Sequence, residues 1–460
     1  MKFSTSACKG LAICILLFSA VITRYSYAAD LAEVYRLALT SDPQFRQVAA
    51  NKRAVLETRP QALANLLPQI SASADISGNS GNRTGSNANS FDNGNLGVFD
   101  NSAGPGVSRD TNSDGLGYSL NLSQPIFHGD RYLRLKQADN SIKQADAELS
   151  AAQIDLALRV STAYFNVLAA VDNLTFAEAE KRSLSQQLEQ AKQRFEVGLT
   201  AVTDVQEAQA GYDRAVADEI QAINNIDNTR EALREITGEY LMDLESLMES
   251  FPLVTPEPAD IDSWSNTAIS SNLDVIAAMH AVDIARDEIK VQQSGHLPTV
   301  DLTARRTYSE NDTNGDSENT NNSIGLQLNV PLYSGGAVSS RTRASRERLQ
   351  QQLDLLEQLR RQAHRQSRES YLGVISGISR IKALEQAVVS SEVALEATRA
   401  GFEVGTRTAV DVVTSERALF QAKRDLSRSR YDYIINTLNL KQAAGLLTVD
   451  DIDRINQWLQ

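Results

Sequence analysis

Phe195-Glu196-Val197-Gly198 recurs 207 residues later as Phe402-Glu403-Val404-Gly405, and this recurrence decides how the rest of the chain is interpreted. Further upstream, Tyr-Ser-Leu-Asn-Leu-Ser-Gln-Pro at 118–125 matches Ile-Gly-Leu-Gln-Leu-Asn-Val-Pro at 324–331 with almost the same spacing. A spacing kept over so long a stretch indicates an internal duplication. The chain is therefore predicted to consist of two structural repeats.

The duplication predicts the domain organisation. The N-terminus resembles a secretory signal peptide, because two lysines precede a short apolar run and small residues stand at a cleavage site after Ala28. Both cysteines, Cys8 and Cys14, would leave with that peptide, so the mature chain is predicted to have no disulfide. The predicted segments are the signal peptide at 1–28, repeat 1 at 29–238, a linker at 239–265, repeat 2 at 266–445 and a C-terminal segment at 446–460.

Each repeat shows the same order of predicted elements. A helical segment (31–65 or 267–293) precedes a strand, a polar loop, a second strand and a long helical hairpin. Apolar and polar residues alternate in the strands, which are long enough to cross a membrane when tilted. The strands are predicted at about 69–77, 116–127, 299–308 and 323–332, and the polar loops at 78–115 and 309–322.

The helical hairpins are unusually long. The first helix of each runs without proline for about 67 residues, to Glu196 or Val404, which corresponds to on the order of 100 Å. Apolar residues recur at spacings of three and four, the pattern of a coiled coil, and only Lys181 interrupts the first row. The pattern resumes after Gly198 and Gly405, so the chain is predicted to reverse at these two glycines.

Composition and motifs exclude several functions. The chain of 460 residues carries a formal net charge of −13, which is opposite to the basic surface that nucleic-acid binding requires. Four scattered histidines give no metal-ligand spacing, and no catalytic or phosphate-binding motif is present, so we expect no enzyme activity, no cofactor and no metal. Asp-Thr-Asn-Ser-Asp-Gly at 110–115 begins like a Ca²⁺ loop, but position twelve is Asn121, and we interpret the segment as a surface turn.

Three hypotheses about the function of such a chain can be compared. A periplasmic coiled-coil scaffold or surface receptor would account for the helices alone, and a hydrolase would need a constellation that the sequence does not contain. The third is a membrane channel: four amphipathic strands cannot close a barrel by themselves, and no apolar run near 18 residues predicts a spanning helix. Three chains would supply twelve strands and twelve helices.

Five sequence runs carry a resemblance to a known family. They are Thr-Ala-Tyr-Phe-Asn-Val-Leu at 162–168, Arg-Phe-Glu-Val-Gly at 194–198, Val-Thr-Asp-Val at 202–205, His-Leu-Pro-Thr-Val-Asp-Leu-Thr-Ala at 296–304 and Val-Gly-Thr-Arg-Thr-Ala-Val-Asp-Val at 404–412. In these runs, and over essentially the whole mature sequence, the chain resembles the outer membrane efflux protein family.

The resemblance implies a mainly α fold with transmembrane β structure. It implies a homotrimer with a 12-stranded barrel in the outer-membrane lipid, a 12-helix barrel in the periplasm, and a mixed equatorial belt formed partly by 239–265 and 446–460. It implies a passive exit duct for drugs, toxins or secreted proteins. The implied partners are a periplasmic adaptor and an inner-membrane pump of the RND, ABC or MFS type, contacting the tips at Gly198 and Gly405.

The residues near the two tips allow two interpretations. In the first they cap helices: Thr203 with Gln206 fits a capping box, while Asp204 and Asp411 suit a first helical turn. In the second they form a gate, since Arg407 aligns with Thr200 and only the second repeat has a cation there.

The family resemblance assigns roles within that gate. Arg407 and Phe402 would face Thr203 and Asp204, and Asp411 from three chains would ring the narrowest point. The chain departs from the family at two positions: Phe402 replaces a tyrosine, and Thr414 replaces a second aspartate. We therefore expect easier opening and weaker cation binding than in a tyrosine-bearing, more acidic relative.

Overall fold

The computed structural model describes residues 28–85, 107–248, 250–312 and 316–460. The signal peptide predicted at 1–28 lies, except for Ala28, outside the described residues. The helices are α1 Leu31–Ser41, α2 Pro43–Leu56, α3 Thr58–Ala64, α4 Gly129–Glu196, α5 Val202–Thr237, α6 Ile261–Ser271, α7 Leu273–Gln293, α8 Ala337–Glu403, α9 Ala409–Ala443 and α10 Val449–Asn456. The strands are β1 Gln69–Gly85, β2 Val107–Phe127, β3 Thr299–Asp312 and β4 Asp316–Asn329.

The chain forms two compact units. The first comprises Met1–Lys52, Gln144–Met279 and Leu355–Gln460, of which 28–52, 144–248, 250–279 and 355–460 are described, and it contains α5, α9 and most of α4 and α8. The second comprises Arg53–Lys143 and His280–Asp354, and it contains the four strands.

The core of the first unit lies where three distant segments of the chain meet. The fully buried Tyr164 of α4 donates hydrogen bonds to the carbonyls of Ala29 (3.1 Å) and Glu245 (2.8 Å). Backbone bridges join Ala29 to Leu244 and Leu247 to Leu459. The N-terminal segment, the linker and the C-terminal segment are thus held together around one tyrosine.

An 18-residue window of α4 is apolar enough to cross a membrane by length and composition. More than half of that window, 56%, is buried within the chain. Because a soluble core helix passes the same test, we assign the window to the core of the hairpin rather than to a membrane span.

The sheet of the second unit is antiparallel with strand order β1-β2-β3-β4. Its register brings apolar residues of all four strands to one face, as in the pairs Ile70↔Leu122, Leu122↔Ala304 and Ala304↔Ile324. This face is open to solvent in the single chain: Ile324 is 78% and Leu326 68% exposed. Within the described residues, β1 and β4 each pair on one side only.

The strands are longer than the alternation predicts. The ladder between β1 and β2 continues to Gly85↔Val107, and that between β3 and β4 to Asp312↔Asp316. The predicted loops at 78–115 and 309–322 are therefore wrong over much of their length, because backbone ladder bonds need no apolar side chain. Residues 86–106 and 313–315 of those loops lie outside the described residues.

The first helical segment of each repeat is broken where a single helix is predicted. The break falls at Asp42, which precedes Pro43, and at Asn272, 230 residues later. A residue before proline disfavours helical geometry, and Asp42 then accepts a hydrogen bond from the Phe45 N–H at 2.7 Å. The Asn272 side chain likewise accepts from the N–H groups of Asp274 (3.0 Å) and Val275 (3.3 Å), so the polar side chain at each break begins the next helix.

Candidate functional site

The long hairpins of the first unit turn at two glycines. Gly198 has φ of +76° and Gly405 has φ of +78°, a region that favours glycine. The carbonyls of Arg194 and Gly401 accept hydrogen bonds from the N–H groups of Leu199 and Thr406, each at 2.8 Å. These bonds satisfy carbonyls left free at the helix ends, so the sequence places both turns correctly.

Thr408 and Asp411 cap α9 at the second tip. The Thr408 hydroxyl accepts from the Asp411 N–H at 3.3 Å, and the Asp411 carboxylate accepts from the Thr408 N–H at 2.9 Å. The bonds from the Thr408 backbone and hydroxyl, and the nearby charge of Arg407, lower the pKa of Asp411. The predicted first-turn position of Asp411 is thus correct, and its partner Thr408 was readable from the spacing Thr408-x-x-Asp411.

The first tip lacks this arrangement. The N-cap of α5 is Ala201, with no side-chain bond, so the capping box predicted for Thr203 and Gln206 is wrong. Thr203 is the second residue inside the helix and therefore cannot be its N-cap. Asp204 is in the first turn as predicted, and its carboxylate accepts a hydrogen bond from the Thr200 hydroxyl. The repeats thus differ because alanine stands in one where Thr408 stands in the other.

Phe402 faces a cation of the other hairpin. The guanidinium carbon of Arg194 lies 4.7 Å from the centroid of the Phe402 ring, within the range of a cation–π contact. The ring also packs against a small cluster formed by Leu395, Val412 and Leu419. Arg194 lies in one of the five sequence runs that carry the family resemblance. Its contact with Phe402, however, cannot be predicted from residue spacing in the sequence.

Arg407 and Thr414 are exposed near the same tip. The aliphatic part of Arg407 lies over Gly401, where an added Cβ would come within 2.8 Å of Arg407 Cγ. In the part of the single chain that the structure describes, neither Arg407 nor Phe402 forms a hydrogen bond or ion pair with Thr203 or Asp204. The predicted contact across the tips remains a prediction about the assembled protein.

An ion pair within the second hairpin is linked by a hydrogen bond to the first hairpin above the tips. Glu416 of α9 is 2% exposed and lies 2.5 Å from the Arg399 guanidinium of α8. Ser183 of α4 donates a hydrogen bond to the same carboxylate oxygen at 2.8 Å. The other carboxylate oxygen of Glu416 has no partner among the described residues. The sequence gives no signal for this link, because its members lie in three different helices.

A second pair explains the interruption of the coiled-coil row. Lys181 of α4 lies 2.6 Å from Glu219 of α5, and Glu219 occupies a position of the matching row in the returning helix. On the same part of α4, the buried Glu180 pairs with Arg424 of α9 at 2.8 Å. The charged breaks in the apolar pattern therefore hold the helices together.

The remaining sequence candidates form no site. Residues 110–115 lie in β2 rather than in a surface turn, because the ladder with β1 keeps them extended. His128 bonds Asp301 at 2.9 Å, joining the end of β2 to β3. No group of three or more potential ligands that could hold a metal ion occurs in the described ranges.

Acid should loosen the second tip more than the first. Because the folded pKa of Asp411 is lowered, its stabilisation is present above the ordinary pKa near 4 and is lost as the pH falls through the lowered value. We expect a nitroxide on Glu403→Cys to gain mobility as the pH falls towards 3, and in Asp411→Asn to be mobile already at pH 7. The matched label on Glu196→Cys should respond less; equal responses would contradict the prediction.

Phe402→Tyr restores the tyrosine that the family resemblance leads us to expect at this tip, and it tests the effect of the missing hydroxyl. A tyrosine hydroxyl could bond Asp204 in the assembled protein, so this variant should lower the closed-state conductance in a planar bilayer. Phe402→Leu, which removes the ring over which Arg194 lies, is the control and should not lower it. Conductance no higher in the unmodified protein than in Phe402→Tyr would refute the prediction.

Comparison with known proteins gives a consistent set of similarities. The model of a family described as "Outer membrane efflux protein" matches residues 34–239 and 264–446. The chain is 38% identical to the outer membrane protein TolC of Vibrio cholerae, over 94% of each chain. It is 30% identical to the alkaline protease secretion protein AprF of Pseudomonas aeruginosa, over 95% of this chain and 89% of the relative.

Solved structures show the same fold. The crystal structure of the outer membrane protein VceC of Vibrio cholerae matches with a TM-score of 0.73 over 90% of this chain and 96% of that one, at 20% sequence identity.

Proposed function

Because the chain belongs to the outer membrane efflux protein family, we propose that three copies assemble into one gated exit duct. The protein is an outer-membrane channel of efflux and type I secretion that extends into the periplasm. Its relatives are channel proteins rather than enzymes.

The observation that carries the proposal is the open apolar face of the four-stranded sheet. Besides Ile324 and Leu326, it exposes Ile76 (85%), Ile70 (71%) and Leu328 (62%). So large an exposed apolar area is unfavourable in water and is favourable in lipid. The sheet therefore belongs in the membrane, where each strand must pair on both sides.

Oligomerisation would supply the missing partners. Edge strands β1 and β4 of neighbouring copies would pair, and three copies would close twelve strands into a barrel. The same threefold axis would bring six hairpins together, four helices from each chain. A trimer thus satisfies the strand edges and the coiled-coil rows at once.

The hairpin tips would close the duct. Asp411 from three copies would form a ring of carboxylates, and its lowered pKa keeps that ring charged at neutral pH. Arg407 would bridge neighbouring hairpins by contacting Thr203 and Asp204. Such exposed contacts are individually weak, which suits a gate that a partner must open.

The tips also offer a surface to the periplasmic adaptor and its inner-membrane pump. Apolar residues stand exposed on both sides of Gly198 and directly before Gly405: Val197 at 68%, Leu199 at 77% and Val404 at 75%. In water these side chains are unfavourably placed, and a helical partner could cover them.

Two measurements on the detergent-purified protein test the proposal. They are planar-bilayer recording and the mass of the protein particle. We expect a particle of three chains and small, cation-preferring single-channel currents. A well-folded protein that is monomeric, needs no detergent and gives no channel would overturn the proposal in favour of a periplasmic scaffold.

A further inference from the structure

The segment between β4 and α8, within the second unit, contains two exposed apolar side chains and a sharp turn, which suit a membrane boundary. Leu332 and Tyr333 follow the strand and are 92% and 90% exposed, and tyrosine is enriched at membrane interfaces. Gly335 and Gly336 both have positive φ, so the chain turns sharply and α8 begins at Ala337.

Four exposed arginines follow immediately. They lie within eight residues in the second and third turns of α8, and we call them the arginine collar: Arg341, Arg343, Arg346 and Arg348. The only acidic residue among them is Glu347, so the segment is strongly basic in a chain whose formal net charge is −13.

Within the described residues, the arginine collar has no carboxylate partner at ion-pair distance. Arginines further along the same helix do: Arg361 bonds Glu357 at 2.8 Å, and Arg365 bonds Glu369 at 2.7 Å. The collar therefore holds four guanidinium groups that form no ion pair with the part of the chain that the structure describes.

The collar flanks the buried stripe of α8 on both sides. Thr342 and Ser345 are 8% and 2% exposed. Arg341 and Arg348, seven residues apart, share one flank of this stripe, and Arg343 and Arg346 share the other. The helix itself does not stabilise these charges. Its first turn contains no acidic residue, and the helix dipole does not favour cations near the N-terminus.

We propose that the arginine collar binds the phosphates of anionic phospholipids in the periplasm-facing leaflet. This rests on the proposed membrane placement of the sheet. The collar begins four residues into α8, and at about 1.5 Å per residue it covers roughly 6–17 Å beyond the helix start. Arginine side chains reach several ångströms further, so the collar meets the headgroup layer next to the apolar face. Guanidinium groups bind phosphate through paired hydrogen bonds.

Binding of phosphatidylglycerol and phosphatidylcholine to the detergent-purified protein, followed by native mass spectrometry, tests the proposal. The variants are R341Q/R348Q and R343Q/R346Q, one for each flank. R361Q/R365Q is the matched control, since it removes two charges from the same helix outside the collar.

We expect the unmodified protein to prefer phosphatidylglycerol. At least one collar variant should lose on the order of tenfold in phosphatidylglycerol affinity, as expected for two cations near an anionic surface, while the control keeps it. Unchanged affinity in both collar variants, or equal loss in all three variants, would overturn the proposal.

Conductance of the same samples separates this proposal from the channel. Normal currents without collar-dependent lipid binding would overturn the lipid site alone. If the collar faces the lumen instead, its variants would alter ion selectivity and leave lipid binding unchanged, which also overturns the lipid site.

Discussion

Gly445→Ala should strongly destabilise the first unit. Gly445 has φ of +68°, and a Cβ built there would lie 2.1 Å from the carbonyl oxygen of Ser271. The left-handed conformation costs an alanine about 1 kcal/mol, and displacing a packed backbone costs about 2 kcal/mol more. We expect a loss of about 3 kcal/mol, seen as a melting temperature lower by roughly 5–10 °C.

Gly405→Ala is the matched control for that substitution. Its φ of +78° is similar, but nothing lies within 4 Å of the added Cβ, so only the conformational cost of about 1 kcal/mol remains. Gly238→Ala, the counterpart of Gly445 in the first repeat, should fall between, since its Cβ would contact Ser41 at an ordinary 3.5 Å. Equal losses in all three variants would show that close approach to Ser271 does not matter.

Glu416→Ala should loosen the packing of α9 against α8 and against the first hairpin. The substitution removes the partner of Arg399 and the acceptor of the Ser183 hydroxyl. Removing one member of a fully buried pair costs several kcal/mol; because Arg399 is half exposed and can regain water, we expect about 2 kcal/mol. Hydrogen exchange in the first turns of α9 should then accelerate roughly 30-fold.

Glu392→Ala provides the control for this change. Glu392 pairs with Lys423 at 2.9 Å between the same two helices, but the side chains are 50% and 32% exposed and neither is buried. Such a pair contributes about 0–1 kcal/mol, so exchange in α9 should change little. Similar exchange in the two variants would contradict the view that the buried Glu416 carboxylate holds α9 against its neighbouring helices.

The order of elements in each repeat was predictable because each leaves a periodic or local signal. Gly198 and Gly405 mark turns that require left-handed backbone, and alternating residues such as Ile324 and Leu326 mark strands. The apolar rows of the long helices predict coiled-coil packing. These signals depend on residues that are neighbours in the sequence, so one amino-acid sequence is enough to detect them.

The features that sequence reasoning missed depend on distant residues or on the backbone alone. Glu416, Arg399 and Ser183 come together only when three helices pack. The ends of β1 and β2 extend because backbone groups pair, and their Asn, Ser and Gly residues resemble a loop. Ala201 in place of Thr408 removes a cap from one repeat, whereas the spacing Thr408-x-x-Asp411 indicates the cap of the other.

The duplicated hairpins thus have unequal tips. The second carries Arg407 and a capping box of Thr408 and Asp411, whereas the first carries Thr200, Asp204 and a helix start without a side-chain cap. In the proposed trimer the two kinds of tip would alternate, so each Arg407 would meet a tip that carries Asp204. This asymmetry allows contacts between hairpins that are specific and easily broken.

The most direct test of the proposed gate is the single-channel conductance of the unmodified protein beside Arg407→Ser. Three exposed contacts of about 0.5 kcal/mol each would together keep the closed state favoured by roughly tenfold. We therefore expect small, cation-preferring currents in the unmodified protein. In the variant, the open probability of the channel should rise by about that factor. Unchanged currents in Arg407→Ser would contradict a gate held by this residue.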